Sequence, residues 1–144
     1  MAETQNYANH VRWHPPFHFI ASPLLLIYLI WSVTQLVRHP GWESGMNFIL
    51  TVVIVITFFL TRVYALMVQD RLIRLEEQLR FQRVLPADLA QRAAGISIPF
   101  LVALRFASDE ELAGLVQQVL DNKFAKPVEV KKSIRNWRGD YHRV

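Results

Sequence analysis

Three histidines, His10, His14 and His18, recur every four residues in NHVRWHPPFHFI, just before a long apolar run. On one unbroken helix that spacing puts three imidazoles on one face, where neutral ring nitrogens can hold zinc or the metal of a haem- or chlorophyll-type pigment. The prolines argue against it. Pro15 drives residue 14 out of the helical region and Pro16 follows at once, so the three histidines are not expected to share a helix face. No carboxylate stands in an obvious place to orient the rings. The expectation is therefore no metal and no cofactor. Tyr7, His10, Trp13, His14, Phe17 and His18 read instead as amphipathic rings at headgroup depth or against a neighbouring protein. A looped three-histidine site, in a small metal- or cofactor-binding membrane protein, is the rival reading.

Other candidate chemistry is sparse. Arg62 is the one formal charge inside either of two apolar segments, and intramembrane charges are functional candidates by default. It lies about 24 Å along the second segment, close to its end, where snorkelling to lipid phosphate or pairing with a partner's acid is expected. Asp109, Glu110 and Glu111 could suggest a cation site. With Ser108 they are already accounted for as a capping box at a helix start. The basic end, with Lys131, Lys132, Arg135 and Arg138 beside Trp137 and Tyr141, suits anionic lipid, as do Arg71 and Arg74. The tail is nearly balanced in charge, so nucleic acid is not an expected partner. The chain has no cysteine, which removes thiolate metal sites, disulfides and cysteine nucleophiles together. No phosphate loop, nucleophile elbow or HExxH zinc motif occurs, and neither an enzyme nor a small-molecule substrate is expected.

The elements that position these residues follow from composition. Hydrophobic residues make up 52% of 144, yet charged residues are still 19%, an average that suggests an apolar half and a charged half. Residues 17–37 contain no Asp, Glu, Lys or Arg, and 46–66 contain only Arg62. Each is long enough to cross a bilayer core of roughly 30 Å as a helix. The first helix is expected to start near Pro16 and bend at Pro23, or to start at Pro23 itself. Between the two, 38–45 (RHPGWESG) reads as a turn, with Trp42 at the interface. So short a loop makes the helices antiparallel neighbours, with Ser32, Thr34, Thr51 and Thr57 available for bonds between them. The polar, aromatic start does not read as a cleavable signal and is expected to be retained. Arg71, Arg74, Arg80 and Arg83 follow the second segment closely. By the positive-inside rule both termini are then cytoplasmic.

Four parts result: an interfacial arm (1–16), a transmembrane hairpin (17–66), a cytoplasmic stalk helix (67–85) and a helical tail (86–144). Along the stalk, Val68, Leu72, Leu75 and Leu79 form one apolar stripe opposite Arg71, Arg74, Glu77 and Gln78. Within the tail, Gly95 is expected to end a first helix. SIPFLVALRFA, capped by Ser97, is expected to be the most buried piece. Leu112, Leu115, Val116, Val119 and Leu120 form an amphipathic stripe, and PVEVKKSIRNW places Val130, Ile134 and Trp137 on one helix face. The fold class is thus an all-α integral membrane protein.

TQNYANHVRWHPPFHF, QDRLIRLEEQLR, LRFASDEELAGLV and VKKSIRNWRGDYHRV span nearly the whole chain. With these motifs it resembles a family of small bacterial membrane proteins known only as a domain of unknown function. The resemblance implies a two-helix hairpin with a cytoplasmic helical tail, and no activity, cofactor or catalytic residue. The functional expectation is an accessory, structural subunit of a larger inner-membrane assembly, photosynthetic or respiratory. Its partners would be other integral membrane subunits and lipids. A membrane-anchored signalling adaptor, whose tail binds a soluble protein, is a further alternative.

Overall fold

A computed structural model describes residues 5–9 and 13–140, and all regular structure among them is helical. His10 and Tyr141 lie outside the described residues. The chain divides into two compact units: one holds 12–66, and the other holds the N-terminal residues together with 67–143.

The apolar unit starts with a π-helical turn, Pro16–Ala21, that runs directly into α1, Ser22–Arg38. The wide turn has a local cause. Pro23 brings no backbone N–H to the helix, and the backbone N–H of Ser22 reaches back five residues to the Phe17 carbonyl. The Ser22 hydroxyl donates to the same oxygen at 2.7 Å. Helical geometry thus begins at Pro16 and changes register at Pro23. His39 leaves helical geometry and ends α1. In the turn that follows, the Ser44 hydroxyl accepts from the Gly41 N–H at 3.0 Å and lies 2.7 Å from the His39 carbonyl.

Helix α2 then runs unbroken from Trp42 to Val84, about 65 Å, so it belongs to both units. It opens four residues before the expected Met46, with Gly45 inside it rather than breaking it. Contacts between the first helix and α2 run in opposite chain directions. Phe17 stacks on Phe58 with ring centroids 4.5 Å apart, while Tyr28 and Ser32 reach Asn47 and Thr51. Two of the expected polar residues take part. Ser32 and Thr51 are fully buried, with their hydroxyls 3.1 Å apart. Thr34 turns back to the Trp31 carbonyl instead, and Thr57 is exposed. Asn47 is the centre of the cluster: its amide donates to Ser32 at 3.0 Å and accepts from the Tyr28 hydroxyl at 2.8 Å.

Both Pro16–Arg38 and Trp42–Val84 are long and apolar enough to cross a membrane. Only 6% of each apolar window is buried, whereas the core helix of a soluble protein is mostly buried. Water is a poor solvent for such a surface.

The second unit has a closed core. Short helices α3 (Ala87–Ala93), α4 (Ile98–Leu104), α5 (Asp109–Leu120) and α6 (Pro127–Ser133) pack around Phe81, Leu101, Leu104, Phe106, Leu112, Val116 and Val130, each at most 1% exposed. The segment 101–107 is buried throughout apart from half-buried Val102, as its almost wholly apolar sequence predicts. On α5 the expected stripe faces inward, with Leu112, Leu115 and Val116 buried and Val119 and Leu120 half-buried.

Helix α3 ends just before Gly95, as expected, though Gly95 is not left-handed; among the described residues Asn122, after α5, is, at φ 55°. One local expectation fails. Helix α6 ends at Ser133, so Trp137 is not on it. Ile134 turns to extended geometry, and Trp137 forms an isolated antiparallel bridge with Ala107. Val68, Leu72, Leu75 and Leu79 are each more than half exposed, while Ile73, Glu77, Arg80 and Phe81 are buried. The tail covers the face of α2 opposite its apolar stripe.

Candidate functional site

The rings before α1 form a local cluster. His14 stands outside the first helical turn and accepts backbone N–H bonds from Phe17 and His18 at 3.1 and 3.0 Å. The His18 ring folds back on this backbone, its Nδ1 3.2 Å from the His14 nitrogen and 3.0 Å from its carbonyl oxygen. Trp13, 60% exposed, meets His18 edge-on at 5.0 Å. Among the described residues no three His, Asp or Glu side chains converge as a metal site, and His10 is not one of those residues.

Arg62 joins this cluster. Its guanidinium lies over the Phe17 ring at 5.6 Å, and Phe17 in turn stacks on Phe58. His14, Phe17, Thr61, Arg62 and Ala65 line a shallow cleft of about 200 Å³. Trp42, at the other end of α2, is 82% exposed.

The basic end is less free than its composition suggests. Lys131 lies over the buried Phe106 ring at 5.4 Å, and Lys132 lies over exposed Tyr7 at 5.7 Å, a contact worth about 0.5–1 kcal/mol. Trp137 is half-buried against Phe106, with centroids 5.2 Å apart. Arg138 donates its backbone N–H to the Phe106 carbonyl at 2.7 Å. Arg135 is exposed, but its backbone N–H bonds Glu111. Arg71 and Arg74 are exposed on α2.

The acids at the start of α5 have roles that local sequence does not contain. Ser108 is the N-cap residue of α5, but its hydroxyl makes no capping bond. The Glu111 carboxylate does not close the expected box. It accepts the backbone N–H groups of Arg135 and Asn136, both at 3.1 Å, and so ties α5 to the segment after α6. Asp109 accepts from Arg80, whose Nε and Nη2 reach the same oxygen at 2.7 and 2.6 Å.

Arg80 is the centre of the tail's polar interior. It is 3% exposed and also donates to the Ala107 carbonyl at 2.6 Å and to Glu77 at 3.2 Å. One guanidinium therefore holds α2, the turn before α5 and the first residue of α5 together. Burial of Glu77 pushes its carboxyl above the usual carboxylate range, opposed by the charges of Arg80 and Arg138. Asp109 is held below that range by its hydrogen bond from Arg80. Sequence reasoning missed this cluster because it assigned Arg80 to the solvated positive flank and Asp109 to a cap. A second buried cation, Arg105, lies 3.3 Å from Asp140. The Gln5 side chain accepts the Asp140 backbone N–H at 2.8 Å and donates to its carbonyl at 3.2 Å.

These arrangements are structural ties and exposed surfaces. Every charged group in the Arg80 cluster meets an opposite charge, and the apolar stripe of α2 faces outward. No curated protein and no solved structure matches the chain. The sequence model of a family of unknown function (DUF6526) matches residues 1–144, from end to end, and the chain belongs to that family.

Proposed function

We propose that this protein is a non-enzymatic structural subunit of a larger inner-membrane assembly. In this reading the two apolar helices form a transmembrane hairpin and the folded tail stands on the cytoplasmic side. The observation that carries it is the contrast in burial between the two units. The tail has closed its own core, whereas the helical pair leaves Leu24, Ile27, Ile30, Ile49, Val53 and Ile56 more than half exposed. Lipid tails or neighbouring helices must cover that surface, and its small polar residues suit close helix contact.

The cytoplasmic placement rests on Arg71, Arg74 and Arg83, exposed just beyond the apolar part of α2. Arg62 and the rings of Trp13, His14, Phe17 and His18 then lie at the same interface, where a guanidinium reaches lipid phosphate and aromatic rings rest among headgroups. Purification of the full chain from native membranes in mild detergent tests the proposal. Co-purification of other integral membrane proteins in fixed ratio is the expected result. A particle holding this chain alone, as monomer or homodimer, overturns it.

A further inference from the structure

The exposed stripe on α2 has the spacing of a helix-pairing seam. Val68, Leu72, Leu75 and Leu79 are separated by four, three and four residues, the d and a positions of a heptad. Among the described residues each is more than half exposed. Ile73, Glu77, Arg80 and Phe81 face the tail core, about 180° around the helix.

The flanking residues say what covers the seam. Arg71 occupies the g position on one side and Glu76 the e position on the other, both exposed. When two copies of this helix lie parallel and in register, the g residue of each faces the following e residue of its neighbour. Arg71 of one copy then meets Glu76 of the other, twice by symmetry. An antiparallel pair sets g against g and e against e, and forms neither contact. We infer that the stripe Val68–Leu72–Leu75–Leu79 is the contact surface for a second copy of this chain, lying parallel to the first. The parallel arrangement rests on the reading that the apolar helices span a membrane, which orients all copies alike and confines them to one plane.

The absence of cysteine in the wild-type chain makes the test direct. Leu75→Cys puts a thiol in the seam, and Arg74→Cys puts one about 100° away on the same helix. Each full-length variant is oxidised in native membranes and run on a non-reducing gel. The expected result is a disulfide-linked homodimer for Leu75→Cys, at least about tenfold above Arg74→Cys. Adding Arg71→Glu to Leu75→Cys should lower that yield several-fold, and adding Glu76→Arg as well should restore it. Equal yields at 74 and 75, no dimer at either, or a cross-link only to a different protein overturns the inference. So does a yield indifferent to the charge reversals. Circular dichroism of each variant confirms that its helices are intact. The partner test above reads different bands: other proteins can co-purify without a Leu75 homodimer, and the homodimer can form without other proteins.

Discussion

The tail and the apolar helical pair bury polar groups for different purposes. In the tail, Arg80, Glu77, Asp109 and the Ala107 carbonyl join residues 27 and 29 positions apart, beside a core that excludes water. In the helical pair, Ser32, Asn47, Thr51 and Tyr28 supply the bonds between helices that are otherwise exposed and apolar. The tail's network adds specificity to a fold already driven by apolar burial. In the proposed membrane setting, the helical pair lacks that drive between its helices and relies on packing and a few hydrogen bonds.

This contrast can be broken by mutation. Arg80→Met should destabilise the tail by about 3–5 kcal/mol, because it leaves Glu77 buried without its closest cation and Ala107 without its donor. A thermal melt followed by circular dichroism would show it, and a loss below about 1 kcal/mol would mean the cluster is incidental. Asn47→Leu should weaken the helical pair by only about 0.6 kcal/mol, measured by SDS titration in mixed micelles. A larger loss there than at Arg80 would invert the comparison.

The smallest effect concerns pH. The folded-state pKa of Glu77 is raised, so the native state holds its proton longer than the unfolded chain does. Its contribution to stability is fully present below the unfolded value of 4.5 and is lost as pH rises through the folded value. Asp109, lowered, acts in the opposite sense: its contribution is present above 3.8 and is lost as pH falls through its folded value. Glu77→Gln removes the first dependence and keeps the second. The variant's stability relative to wild type should therefore improve as pH rises from about 4 to about 7, read as a changing gap in melting temperature. A gap constant with pH would mean that Glu77 does not titrate in this window.

The helices, their order and the most buried segment were legible because each is written in local composition. Residues 101–107 are apolar nearly all round, and α5 carries its stripe in five residues. The buried face of the stalk was not legible. Its apolar stripe is plain in the sequence, but the tail settles on the opposite face, where Arg80 finds Asp109, and that pairing is nonlocal. Ser108 and Glu111 show the same limit. Their spacing fits a capping box, yet the N–H groups of Arg135 and Asn136 arrive from 24 and 25 residues away and take the carboxylate. The arm was legible only in outline, since proline chemistry explains why His14 precedes the helix but does not specify that His18 folds back on it. The seam and its flanking charges are present in the sequence; only the structure shows the four seam residues more than half exposed.

The paired bonds between Gln5 and Asp140 constrain topology by parity. Residues that touch lie on the same side of any sheet of lipid, whatever its composition or voltage. The chain between them must then pass through such a sheet an even number of times: twice or not at all, given two apolar helices. This count needs no appeal to flanking arginines. In the proposed membrane reading, a single amide near the start of the chain, closed on a backbone near its end, supports two crossings rather than one.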